Sequence, residues 1–290
     1  MHNVAKTLHE NKTGSKICVF SKHLHWLDLQ GMAETAAEIG FDGVDLTVRP
    51  GGHVLPEKVE DDLPRAAEAC QKAGIDIVML CTAIRDASDP TTEKILNTAG
   101  RLGIRHYRMA WYHYDDKTGI EENLLSFKAR MKELAAMNEH YRIKGDYQNH
   151  DGTWFGAPVW DLGTVLREID SGWLGSQYDI LNATLEGVKS WPLGLEYVAP
   201  YIHTIDIKDA QLRKQDGRWS PRYTPLGEGD VDFEAFFKLL RKLDIHAPFS
   251  MHFEYDLGGA DVGARRLTMP AEQVVAAMKK DLKRLREFIA

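Results

Sequence analysis

The chain has 290 residues, 43% of them hydrophobic, and a formal net charge of −7 at pH 7. That length and apolar content can fill one large core and fit a single eight-unit barrel. The acidic balance leaves no basic surplus to neutralise a phosphate backbone, which disfavours nucleic acid as a partner, and no apolar run approaches the roughly 20 residues of a membrane span.

Predicted elements alternate along the chain. After a polar tail over 1–15, residues 17–20 (Ile-Cys-Val-Phe) read as a buried strand, and a helix over 31–39 closes on Gly40 as a left-handed C-cap. A second strand over 43–48 meets a loop too rich in Pro and Gly to continue it, and helical spacing resumes over 57–73 and stops at Gly74. The run 75–81 is almost continuously apolar, as expected when both faces of a parallel sheet are covered. A helix over 91–102 follows it. Strands over 105–110 and 141–148 flank a long helix over 121–139, and less apolar strands follow over 176–179, 202–207 and 249–254. The remaining helices are predicted over 163–169, 192–198, 232–243 and 269–289.

Each strand candidate has a helix candidate behind it, and no Ser/Gly/Pro tract divides them. The pattern predicts an α/β protein, a (β/α)8 TIM barrel over 16–290 in one domain. No G-x-G-x-x-G follows a strand, so dinucleotide binding has no support. Cys18, Cys70 and Cys81 are widely spaced and odd in number, which suits reduced thiols better than a disulfide framework. The start, Met1-His2-Asn3-Val4, lacks a basic region followed by an apolar one, so a cytoplasmic location is expected.

Strand ends of such a barrel converge on one mouth. Four segments reach it carrying polar, metal-competent side chains: Gln148-Asn149-His150, Tyr178-Asp179, Thr204 to Asp209, and Met251-His252-Phe253-Glu254. Strand alternation places Thr204, Asp206 and Lys208 on one face and Ser250, His252 and Glu254 on another, so that both sets can point inward. His203 falls on the face opposite Asp206 and reads as a structural histidine. The same mouth is predicted to collect His23 and His25, Arg49 and His53, and Arg108, Trp111 and His113 from the first, second and fourth strands. Aromatic rings beside cations suit a sugar, whose CH faces stack on rings while its hydroxyls bond charged groups, and Trp154 and Phe155 could add to them.

Five pieces in this order and spacing carry a family resemblance: Gly40-Phe41-Asp42-Gly43-Val44-Asp45, Gln148-Asn149-His150-Asp151-Gly152, Tyr178-Asp179-Ile180-Leu181-Asn182, Ile205-Asp206-Ile207-Lys208-Asp209 and Gly227-Glu228-Gly229-Asp230-Val231-Asp232. Over 16–290 the chain resembles the xylose isomerase-like barrels grouped as sugar phosphate isomerases/epimerases. Members of that family place Glu, Asp, His and Glu around one divalent cation at the ends of strands five to eight. Position by position, Asp179 matches, Gln148 stands for the first Glu, Asp206 for the His, and His252 or Glu254 for the last Glu. The resemblance thus implies a cation held by Gln148, through its carbonyl oxygen, with Asp179, Asp206 and His252. Such an oxygen-rich set favours Mn²⁺ or Mg²⁺ and admits Zn²⁺.

The activity the resemblance implies is that of a sugar or sugar-derivative isomerase or epimerase, which takes a proton from carbon next to a carbonyl while the metal holds the enediolate. Glu254, His252 or Asp206 would be the base and Lys208 an auxiliary electrophile; His25, Arg49, His53, Arg108, Trp111 and His150 would contact the sugar. A homo-oligomer is compatible with this reading. Two rivals stand beside it. A metal-free carbohydrate-binding barrel without catalysis would account for Gln148, and an endonuclease-type barrel acting on DNA is opposed by the acidic balance and the altered ligand positions.

Overall fold

In the computed structural model, which describes residues 15–215 and 217–290, eight short strands run parallel around a closed ring. They are β1 (Ile17–Phe20), β2 (Gly43–Val48), β3 (Asp76–Thr82), β4 (His106–Arg108), β5 (Lys144–Gln148), β6 (Leu174–Asp179), β7 (Ile202–Ile207) and β10 (Phe249–Met251). The numbering leaves room for a hairpin, β8 (Asp209–Gln215) and β9 (Arg218–Thr224), which pairs only with itself. Pairing of Ile17 with Phe249 and Val19 with Met251 closes the ring. The fold is the (β/α)8 barrel that the alternation predicts. The predicted tail lies outside the described residues except for residue 15.

The helices α1 (Leu29–Ile39), α2 (Val59–Ala73), α3 (Pro90–Arg101), α4 (Ile120–Tyr141), α5 (Val159–Ile169), α6 (Ile180–Gly187), α7 (Trp191–Val198), α8 (Phe233–Lys242) and α9 (Ala271–Ile289) cover the outside. Their boundaries follow local chemistry. The Asp28 carboxylate accepts from the Gly31 N–H to start α1, and Gly40 ends it at φ +106°, as predicted. Outward strand residues pack under the helices: Tyr178 stacks on Phe236 with ring centroids 6.2 Å apart, and Phe249 meets Phe237 edge-on at 5.7 Å. Among the described residues no helix is long and apolar enough to cross a membrane, and the three cysteines are buried and free.

Three differences from the predicted elements have physical causes. The fifth strand begins at Lys144 rather than 141, because α4 runs on to Tyr141 and reverses at Arg142, a left-handed position (φ 55°) without the glycine that usually marks one. The hairpin was not predicted, since its strands are mostly polar or charged, one with Pro221 inside, and the core takes Ala210 with Tyr223 packed against it, too little to impose an apolar alternation. His203 does not lie on the outward face. Between Ser176 and Gln177 the β6–β7 register shifts, Ser176 pairing with Ile202 and Gln177 with Thr204, so one extra residue of β7 is accommodated. His203 then turns inward beside Thr204 and its Nδ1 lies 2.7 Å from the buried Asp146 carboxylate.

Gly175 makes that turn sterically allowed: a Cβ there would lie 2.3 Å from His203 Nδ1 and 2.5 Å from the Tyr201 carbonyl oxygen. Gly175→Ala should therefore cost about 1–3 kcal/mol in urea unfolding, as overpacking does. Gly172→Ala, in a turn with open space around it and no left-handed φ, is the control and should change stability by no more than about 0.5 kcal/mol. Equal small losses for both would show that the bulge relaxes freely.

Candidate active site

At the mouth, strand register brings the predicted residues side by side. Gln148 pairs with Gln177, Asp179 with Asp206, and Asp206 with Ser250. Asp179 is also where β6 becomes α6: its Oδ1 accepts the Asn182 N–H at 3.0 Å as the helix N-cap, and its own N–H donates to Asn149 Oδ1 at 2.8 Å. That cap fixes the direction of the other oxygen. Beyond β10 the His252 N–H still donates to the Ile207 carbonyl at 2.9 Å, so His252 stays in line with the strand although the ladder ends at Met251.

One network links these groups. Gln148 Nε2 donates to Asp179 Oδ2 at 3.0 Å and to Asp206 Oδ2 at 2.5 Å, while its Oε1 accepts from Arg108 Nη1 at 2.9 Å. Lys208 Nζ lies 3.0 Å from Asp179 Oδ2. Gln177 Nε2 donates to Asp206 Oδ1 at 2.5 Å. His252 Nε2 lies 3.4 Å from that same oxygen without a hydrogen bond to it. Asp179 and Asp206 are fully buried, and Lys208 is 6% exposed. Burial works against the Asp206 carboxylate, yet His252 and Gln177 more than offset it and hold its pKa below the ordinary value. Burial likewise opposes the Lys208 ammonium, which Asp179 and Glu254 keep above its ordinary value.

Glu254, whose side chain is 22% exposed, pairs with Lys22 Nζ at 3.1 Å and stands 3.9 Å from His252 Nδ1. Against the cost of burial, Lys22 and Lys208 hold its carboxyl down to about 2. The Phe20 ring, at the end of β1, stacks on His252 at 4.5 Å and carries Arg49, Arg108 and Lys22 over it at 5.4, 5.6 and 5.6 Å. Arg108 also lies 5.0 Å from the Trp111 ring, which meets His150 edge-on at 4.7 Å.

His25 and His53 form a separate cluster. Their rings meet edge-on at 4.8 Å, His25 Nε2 lies 3.0 Å from Thr47 Oγ1, and His53 Nδ1 lies 3.2 Å from Ser21 Oγ. Burial, reinforced by Arg265, brings His25 down to about 4; burial, reinforced by His25, brings His53 to about 3. Both are neutral near pH 7 and tie the β1 and β2 loops together. Four residues of the centre escape sequence reasoning: Lys22, Asp45, Gln177 and Tyr223. Tyr223 comes from the hairpin and is near enough to Lys208 and Glu254 for their charges to act on its hydroxyl. Asp45, a lone carboxylate in an apolar strand, is the one that had a readable signal.

The residues at the mouth do not fit the divalent cation that the resemblance implies. A carboxylate only accepts and a guanidinium only donates, so Gln148 must turn its NH₂ to Asp179 and Asp206 and its oxygen to Arg108. The coordinating role expected of its carbonyl oxygen is not met in this orientation, and Lys208 already occupies the free side of Asp179. Among the described residues the set with metal-ligand spacing lies elsewhere: His106, Asp146 and His203, with ligand atoms within 4.8 Å of one another, could hold a metal ion.

Asp45 yields a test of these electrostatics. Its Oδ2 accepts from Ser250 Oγ at 2.9 Å, Oδ1 has no hydrogen-bond partner, and burial, then the charge of Asp206, raises its pKa from 3.8 to about 6. A pKa raised by folding contributes stability below pH 4 that is lost as pH rises through about 6. Asp45→Asn should therefore be more stable than the parent at pH 8 by on the order of 2 kcal/mol, with little difference at pH 4. Urea unfolding at the two pH values checks this, and a pH-independent difference would show that the carboxyl does not titrate with folding.

Comparison with known proteins adds relatives to this geometry. The E. coli K12 protein SgbU, provisionally named an L-ribulose-5-phosphate 3-epimerase, is 25% identical over 251 residues, which cover 79% of this chain and 84% of SgbU. The crystal structure of the E. coli 3-keto-D-glucoside 4-epimerase YcjR superposes with a TM-score of 0.70 at 14% identity, covering 94% of this chain and 99% of YcjR. A D-psicose 3-epimerase crystallised in the presence of D-fructose gives a TM-score of 0.69 at 11% identity, with coverages of 94% and 99%. The xylose isomerase-like TIM barrel model matches residues 33–287, and the chain belongs to that family.

Proposed function

We propose that this protein is a sugar or keto-sugar isomerase or epimerase that moves a proton on carbon next to a carbonyl. The observation that carries the reading is the set of charges at the mouth: an ionised, partly exposed Glu254 carboxylate beside the buried ammonium of Lys208. Likeness to SgbU over most of both chains supports the substrate class. The rings of Trp111 and His150, beside Arg108, provide a surface on which a sugar can stack.

In this reading Glu254 is the base. A carboxylate held near 2 is always ionised at working pH but is a weak base. Its basicity rises when the incoming sugar draws Lys22 away to a hydroxyl. Glu254 then accepts the C–H proton, and negative charge collects on the carbonyl oxygen facing Lys208 and Arg108. Return of the proton to the neighbouring carbon, with the hydroxyl proton passing from one enediol oxygen to the other, gives an isomer; protonation of the original carbon on its opposite face by a second acid gives an epimer. The side-chain donors and acceptors at the mouth are turned to one another, so the charge of Lys208 and Arg108 takes the part a metal would play.

A panel of ketoses and keto-sugars incubated in D₂O should reveal substrates that gain deuterium at one carbon. Glu254→Gln should lower that exchange by roughly 10²-fold or more, the usual scale for a general base, while sugar binding followed through Trp111 fluorescence persists. Unchanged exchange would pass the role of base to His252. Binding without exchange in the parent protein would leave the carbohydrate-binding barrel in its place.

A further inference from the structure

We infer that Lys208, seated on Asp179 and flanked by the Gln148 amide, supplies the positive charge for which this family is expected to use a divalent cation, so that the mouth works without one. The role of Lys208 toward the reacting oxygen rests on the proposed proton transfer. Cation independence does not, because it concerns only the carboxylates and their partners.

Every side-chain oxygen of Asp179, Asp206 and Gln148 that would ligate a metal already accepts a hydrogen bond. Asp179 accepts from the Asn182 N–H on one oxygen and from Lys208 and Gln148 on the other. Asp206 accepts from Gln177 on Oδ1, with His252 also attracted to that oxygen, and from Gln148 on Oδ2. Arg108 holds the Gln148 oxygen, so rotating the amide to offer that oxygen to a metal would set its NH₂ against a guanidinium and its oxygen against two carboxylates.

Charge gives an independent reason. The negative charges of Asp179 and Asp206 are matched by the positive charges of Lys208 and Arg108, Glu254 by Lys22, and Asp45, when ionised, by Arg49 over the Phe20 ring. A dication added to this balanced set would leave a net double positive charge beside the fully buried Asp179 and Asp206, which is strongly unfavourable. Lys208 also cannot swing into water to make room as a surface lysine would. It is 6% exposed, and leaving Asp179 would strand a buried carboxylate.

The test is calorimetric titration of chelator-treated protein with MnCl₂, alone and after substitution at the mouth. The parent should show no saturable Mn²⁺ binding that Asp179→Asn removes; binding that survives Asp179→Asn and disappears in His106→Ala belongs to the His106, Asp146 and His203 set and supports the inference. Lys208→Met combined with Gln148→Glu removes the internal cation and restores a carboxylate, and should bind Mn²⁺ at least 10-fold more tightly than the parent, with a matching rise in Tm on adding the ion. Stoichiometric Mn²⁺ binding by the parent that Asp179→Asn abolishes would overturn the inference, whether or not the double variant folds. In the exchange assay, activity that persists in EDTA and falls at least 10²-fold in Lys208→Met with sugar binding retained supports the role of Lys208. Activity that appears only with Mn²⁺ would overturn cation independence while leaving the isomerase reading intact, and no exchange with any sugar would remove that reading while the binding result stands.

Discussion

A carboxylate taken out of water is tolerated only if something replaces its hydration, and the mouth of this barrel is organised around that constraint. Asp206 sits between Asp179 on one neighbouring strand and Ser250 on the other, with no exposure of its own. Two negative charges side by side would repel each other strongly at this depth. The chain answers with neutral donors placed between them and with cations behind them. Gln148 bridges the two aspartates, Gln177 takes the remaining oxygen of Asp206, and Lys208 closes on Asp179. Each choice conditions the next: a glutamate at 148 would put a third negative charge where the bridging NH₂ now lies, and Lys208 alone could not balance it.

That interdependence accounts for a departure, at several strand ends together, from the ligand residues that the family resemblance implies. Glutamine at 148, aspartate at 206 and histidine at 252 form a consistent set, since the amide donates to both aspartates and the imidazole faces one of them. Phe20 adds an apolar floor. Its ring covers His252 and is ringed by three cations, which places their charge at the rim of a low-dielectric surface, where each acts more strongly than in water.

The barrel itself was legible because period and punctuation agree along most of the chain. Gly40 and Gly74 end helices where a left-handed residue is required, at φ +106° and +75°, and β2 and β3 read directly from their apolar content. Side-chain alternation also set Asp206 and Lys208 at the β7 end and Ser250 and His252 at the β10 end toward the mouth, but it was not carried to β6, where Gln177 shares the face of Asp179. It failed where the backbone adds a residue: at the β6–β7 register shift, His203 turns inward against its parity. It was silent where no period exists. Lys22 lies in a short 3-10 turn (Ser21–Leu24) and Tyr223 on a mostly polar hairpin whose strands show no regular apolar alternation. The orientation of Gln148 was equally unreadable, because it depends on Arg108 and two aspartates from three other strands.

The barrel holds a second buried carboxylate, and the contrast between the two places separates structure from chemistry. Asp146 accepts from His106 Nδ1 at 2.9 Å and is bonded by His203 Nδ1 at 2.7 Å, with Thr204 Oγ1 at 3.4 Å, so both of its oxygens are occupied. His106 also lines a groove of about 960 Å³ at the strands' N-terminal ends, with Lys16, Asp76 and Pro248. Size alone would point to that groove as the site. The mouth differs in kind: Asp45 Oδ1, Arg108 Nε and His252 Nε2 are buried there without hydrogen-bond partners, and Glu254 keeps a partly exposed, ionised carboxylate. Buried polar atoms left unpaired are costly unless a ligand completes them. The set around Asp146 is closed within the protein, whereas the incomplete set at the mouth is the one to which the proposed function assigns a sugar's hydroxyls and carbonyl.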